Sequence, residues 1–132
     1  MKAAAIFLAL ACMAGPAKAE WTFLTNTSDG HGRAYVDYST IKIDGSKRSV
    51  WELWDYDDPQ TTSGSVSGTY YSMTWLEQID CAESKRRGLQ VGYYSDHMQG
   101  GNYLGEKILT DPEMAIAPNT IAVTLQSNIC SR

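Results

Sequence analysis

The sequence predicts an α+β fold: an antiparallel β-sheet of about five to six strands with a C-terminal α-helix packed on it. Three observations lead there. Thr69 to Cys81 alternates, with Tyr71, Met73, Trp75, Ile79 and Cys81 on one face and a mostly polar set, Tyr70, Ser72, Thr74, Leu76, Gln78 and Asp80, on the other. That period of two describes a strand with one side on a core and the other toward water, and Glu77 is the one charge on its apolar side. Shorter apolar segments rich in β-branched and aromatic residues recur on either side, separated by turn residues. From Asn119 the period changes, and Ile121, Leu125 and Ile129 return every four residues, which is helical spacing.

In chain order, Trp21 to Thr25 reads as a first strand, and Asn26 to Gly32 as a turn-rich connection. Arg33 to Tyr38 alternates again, with Ala34, Val36 and Tyr38 on one side. Ser39-Thr40-Ile41 reads as a short helical turn, because Asp37 and Ser39 can cap the amides that follow. Asp44-Gly45 with Ser46 makes a turn into a strand from Lys47 or Arg48 to Tyr56. Its apolar residues Val50, Trp51, Leu53 and Trp54 fall on both faces, as in a strand covered on two sides. Asp57 to Gly68 holds Pro59, glycines and many hydroxyls and reads as a long mobile loop. The strand Thr69–Cys81 is expected at the centre of the sheet. Ala82 to Gly88 reads as a basic connection, Leu89 to Tyr94 as a strand, and Tyr103 to Leu109 as the last strand after Gly100-Gly101-Asn102. Pro118 and Asn119 suit the start of the closing helix, which runs to Cys130.

The N-terminus reads as an export signal. Lys2, the apolar run within Ala3–Ala14 and the small-residue site Ala17-Lys18-Ala19 divide the chain into a signal peptide, 1–19, and a single domain, 20–132. Ala9-Leu10-Ala11-Cys12 faintly resembles a lipobox, so a lipid anchor at Cys12 is the competing reading. The Ala-Lys-Ala site is the better formed. Removing Lys2 and Lys18 turns 11 basic against 15 acidic residues into 9 against 15, a net charge of −6. That balance argues against nucleic acid and against general attraction to anionic lipid. After the signal no stretch is apolar enough to span a membrane. Cleavage before Glu20 leaves two cysteines, Cys81 and Cys130, which in an oxidising compartment read as one disulfide tying the helix to the central strand. A thiolate nucleophile or a metal pair is the other use of such residues, and neither cysteine has a histidine near it in sequence.

Nothing assembles a catalytic set. His31 and His97 are the only histidines, and His97 follows Ser95-Asp96, whose adjacent side chains point in different directions on a strand end. No phosphate cradle, zinc spacing or nucleophile elbow is present, and no cofactor is expected. Asp55, Asp57 and Asp58 surround Tyr56 where a strand gives way to a loop. Oxygen ligands there could hold calcium, but their spacing matches no EF-hand, and a solvated acidic strand end is the commoner arrangement. Lys85-Arg86-Arg87 is the one local basic run in an acidic chain. It reads either as a solvated turn or as a docking patch for an acidic segment or glycan of a partner, since arginine forks favour carboxylate and sulfate.

Taken together, Ala34-Tyr35-Val36-Asp37, Ser39-Thr40-Ile41, Val50-Trp51, Tyr71-Ser72, Ile79-Asp80-Cys81 and Ala117-Pro118-Asn119 before the final helix resemble the bacterial surface-adhesin protein E family, from about Trp21 to Cys130. The resemblance implies an antiparallel sheet with a small helix and a non-enzymatic binding protein that engages extracellular proteins or glycoproteins of a host. The family's namesake is a surface lipoprotein, whereas this chain favours ordinary signal cleavage. A periplasmic accessory protein, such as an inhibitor or envelope-assembly factor, is the alternative function. The oligomeric state stays open, a dimer included.

Overall fold

The computed structural model describes residues 19–132. Cys12 and nearly all of the expected signal segment lie outside the described residues. Seven strands and one helix follow one another: β1 (Thr22–Asn26), β2 (Gly32–Asp44), β3 (Lys47–Thr62), β4 (Gly68–Asp80), β5 (Lys85–Tyr94), β6 (Tyr103–Ile108), β7 (Met114–Ala115) and α1 (Ile121–Ile129). The first six form one antiparallel meander in chain order, and β7 adds to the far end of β5. β4 lies inside the sheet between β3 and β5, as its alternation predicts.

The strands are longer than the sequence suggests, and each extension has a local cause. β2 runs through Ser39-Thr40-Ile41, where a helical turn is expected. The residues form a bulge instead: pairing with β3 breaks between Asp37 and Lys42. Asp37 Oδ1 accepts from Ser39 N at 3.0 Å and Ser39 Oγ at 2.5 Å, and Thr40 Oγ1 donates to the Asp37 carbonyl at 2.7 Å. The capping propensity is genuine, but it serves a bulge. Likewise the expected loop Asp57–Gly68 is mostly strand. Gln60, Thr61 and Thr62 rejoin the ladder opposite Tyr70, Thr69 and Gly68, and the bulge between Asp55 and Gln60 absorbs Pro59. The expected basic connection shrinks to Cys81–Ser84. Asp80 Oδ1 organises that turn by accepting from the amides of Ala82 and Glu83, each at 3.1 Å, and from Ser46 Oγ at 3.0 Å.

Both faces of the sheet are covered. On the first, Val36, Val50 and Ile79 pack under Leu125 and Ile129 of α1, with Leu24, Tyr38 and Ile41 around them. Further along the same face a second cluster joins Met73, Val91 and Tyr93 to Val66, with Trp54 and Trp75 beside them. Ile79 and Met73 share this face of β4, as do Val50 and Trp54 on β3. The opposite face is also sheltered, so the polar side of β4 meets less water than its alternation predicts. Ser72 and Thr74 are buried there. Ser72 Oγ donates to the Asp96 carbonyl at 2.6 Å and accepts from Gln99 N at 2.9 Å, which draws the β5–β6 loop onto β4. Trp21 Nε1 donates to Gln99 Oε1 at 3.2 Å and brings the N-terminal segment over the same face.

α1 starts at Ile121 with Thr120 as N-cap, one residue past the expected Asn119, which takes a left-handed φ of 59°. Cys81 and Cys130 form the disulfide. Gln126 Nε2 donates to Ser84 Oγ at 3.0 Å and fastens the middle of the helix to the same turn. The Arg132 guanidinium lies 3.8 Å from the Tyr38 ring centroid, closing the C-terminus over β2.

Candidate functional site

The basic run is divided by the strand it belongs to. Lys85, Arg86 and Arg87 are the first three residues of β5, not a loop, so Arg86 faces one side of the sheet and Lys85 and Arg87 face the other. Arg86 turns inward. Its Nε donates to Glu77 Oε1 and its Nη2 to Glu77 Oε2 at 3.1 Å, and Trp75 Nε1 donates to Glu77 Oε2 as well. This forked pair raises the Arg86 pKa, chiefly through the hydrogen bond to Glu77. Lys85 remains exposed to solvent on the other face, with Arg87 half-buried beside it.

The acidic strand end is already occupied by protein groups. Arg33 Nη2 sits 2.7 Å from Asp57 Oδ1 and 3.9 Å from Asp55 Oδ2. Asp55 Oδ1 also accepts from Met98 N at 3.0 Å and lies 3.1 Å from His97 Nδ1. The Tyr71 ring centroid lies 4.6 Å from that of His97, with the two planes tilted by 46°. His97 therefore anchors the β5–β6 loop to β3. Ser95 Oγ is engaged elsewhere, accepting from Asn102 N at 2.7 Å. Among the described residues no group of three His, Cys, Asp or Glu side chains is placed to hold a metal ion.

A second constellation lines a cavity on the sheet. Between the two apolar clusters, on the helix-bearing face, a cavity of about 760 Å³ opens. Its floor is Glu52 and Trp54 from β3, Met73, Trp75 and Glu77 from β4, and Arg86 from β5; its walls are Thr25–Ser28, Met114, Ala115 and the first turn of α1. Both glutamates are 2% exposed. Glu77 is satisfied by Arg86 and Trp75. Glu52 is not: its Oε1 and the indole Nε1 of neighbouring Trp54 both lack a hydrogen-bond partner among the described residues. Burial, then the nearby charge of Glu77, push the Glu52 carboxyl well above the ordinary carboxylate range, and the charge of Arg86 pulls it only partly back. Gly88 is what lets Trp75 lie flat here. A Cβ at Gly88 would stand 2.2 Å from Trp75 Cζ2.

The sequence carried one trace of this site and hid another. Glu77 stands out as a lone charge on the apolar face of β4. Glu52, two residues from both Val50 and Trp54, sits equally on a core-facing run, but both faces of β3 are apolar, so the pattern does not single it out.

The described residues contain no helix long and apolar enough to cross a membrane. No curated protein matches the sequence. Among solved structures, Haemophilus influenzae protein E aligns with a TM-score of 0.64 at 14% identity, over 90% of this chain and 91% of that one. Its selenomethionine form gives 0.65 at 14% identity over 91% and 94%. Protein E from non-typeable Haemophilus influenzae gives 0.62 at 15% identity over 90% and 82%. Likeness at that identity establishes the fold alone. The sequence profile of Surface-adhesin protein E matches residues 21–131, nearly the whole of the described chain, and on that match the chain belongs to the surface-adhesin protein E family.

Proposed function

We propose that the protein is exported, is cleaved after Ala19, and works outside the inner membrane as an adhesin-like, non-enzymatic binding protein for extracellular matrix or serum proteins. The observation that carries this reading is the family match across residues 21–131. The side chains are in keeping with it. The histidine suited to proton transfer holds a loop to β3, and the hydroxyl nearest to it in sequence accepts a backbone amide.

Lys85 and Arg87 are the residues proposed to meet an acidic segment or sulfated glycan of the partner. Arg86 leaves the patch, because its fork is spent on Glu77. Exposed charges act mainly on the association rate and are screened by salt. Purified residues 20–132 should bind immobilised matrix or serum glycoproteins at low ionic strength and bind less at high ionic strength. The double reversal Lys85→Glu/Arg87→Glu should lower binding without altering the melting temperature. Equal binding by the reversed variant would remove these residues from the contact, and no binding to any such glycoprotein would remove the adhesin reading itself.

A further inference from the structure

The cavity beneath the start of α1 has an unfinished charge arrangement, and that arrangement specifies a ligand. Three ionisable side chains line it: Glu52, Glu77 and Arg86. Two carboxyls thus share one guanidinium, and the guanidinium is committed to Glu77. Asp111 adds a further negative field at Arg86. Within α1 no acidic residue occupies the first turn and no basic residue the last. Glu52 is left 2% exposed with an unpartnered oxygen, next to an indole N–H that is also unpartnered. Two tryptophans line the same floor, Trp54 and Trp75, with ring centroids 6.4 Å apart.

We propose that the cavity binds a primary ammonium group carried on a short alkyl chain, paired to Glu52 and flanked by the indole rings of Trp54 and Trp75. A bound cation brings the floor to two positive and two negative charges. It also lets Glu52 stay ionised and accept from Trp54, so both orphaned polar atoms find a partner. The tryptophan faces contribute through their quadrupoles, which attract cations best in desolvated surroundings. The alkyl chain lies along Met73 and the apolar start of α1.

Other ligand classes fit less well. An anion would have to displace Glu77 from Arg86 while lying against a second carboxyl. A purely apolar ligand would leave the Glu52 and Trp54 atoms unpaired. The first turn of α1 carries about half a positive charge and opposes a cation, but it is outweighed by the full charge of a carboxylate shielded from water. The inference does not depend on adhesion. The same chemistry reaches the site from a free amine or from a lysine side chain.

The test uses residues 20–132 and four probes: n-hexylammonium, hexanamide, hexanoate and the peptide acetyl-Gly-Lys-Gly-amide. Indole N–H resonances and calorimetry provide the readouts. Hexylammonium should shift the Trp54 and Trp75 indole signals saturably and bind at least about tenfold more tightly than hexanamide. Because binding expels the Glu52 proton, calorimetry in buffers of different ionisation enthalpy should record proton release, and affinity should rise with pH until the amine itself titrates. Glu52→Gln should weaken hexylammonium about tenfold or more, and Trp54→Leu should weaken it without abolishing proton release. Binding of the lysine peptide alongside hexylammonium identifies a protein lysine as a possible source, and binding of hexylammonium alone identifies a free amine; either supports the site. The proposal is overturned if hexanamide or hexanoate binds as well as hexylammonium, if Glu52→Gln binds undiminished, or if no probe saturates.

Discussion

Replacing Arg86 by methionine separates its two candidate roles, because the structure makes it a buried charge partner and not a surface contact. The Arg86 side chain is 24% exposed and that of its partner Glu77 2%. The substitution keeps an apolar stem of similar length, so packing changes little while Glu77 loses both donated bonds. Only the Trp75 indole remains to it, with Glu52 across the cavity floor. Removing one partner of a buried ion pair costs about 3–5 kcal/mol, and the partial exposure of Arg86 argues for the lower end, about 3 kcal/mol. Urea unfolding followed by tryptophan fluorescence at pH 7 measures the loss. The double variant Arg86→Met/Glu77→Gln should recover most of the loss at pH 7. A cost below about 1 kcal/mol at pH 7, or a double variant that recovers none of it, would refute the buried-pair reasoning.

Three further outcomes follow from the same geometry. The double variant Cys81→Ser/Cys130→Ser opens a crosslink with a sequence separation of 49, which on the chain-entropy model corresponds to about 4 kcal/mol; unfolding of the oxidised parent and the variant under the same conditions checks it. Glu52→Gln should stabilise the protein at neutral pH and change little near pH 4. The raised carboxyl of Glu52 contributes fully below its unfolded value of about 4.3, and that contribution is lost as pH rises toward the folded value, so melting temperatures across pH 4–8 should converge at the acid end. Gly88→Ala drives a methyl into the Trp75 ring, which is tethered through its indole N–H to Glu77. It should cost about 1–3 kcal/mol and alter tryptophan emission, as measured by denaturation and fluorescence.

Local patterns were enough to find most of the framework. The alternation of Thr69–Cys81 locates the inner strand, the four-residue spacing of Ile121, Leu125 and Ile129 locates the helix, and the expectation of an oxidising compartment pairs Cys81 with Cys130. What the sequence could not show depends on partners far away in the chain. Lys85–Arg87 looks like a polar turn until Glu77, nine residues back, accepts the fork of Arg86. Asp57–Gly68 looks like a loop because Pro59 and its acidic neighbours are turn formers, yet a bulge isolates them and the ladder resumes at Gln60. β7 is two residues long, too short for any periodicity, and exists only because Lys85 and Arg86 offer it an edge. The cavity was the least legible feature. Its floor comes from three strands, and its key residue, Glu52, lies within a strand whose two faces are both covered.

Adhesion of intact cells reads out surface binding itself. Bacteria carrying the intact gene, a deletion strain and a complemented strain are incubated on immobilised matrix and serum glycoproteins, washed, and the retained cells counted. The deletion should lower retention, the full sequence 1–132 should restore it, and soluble residues 20–132 should compete with the restored cells. Equal retention of all three strains, with no competition by the soluble protein, would contradict a binding protein displayed on the cell surface.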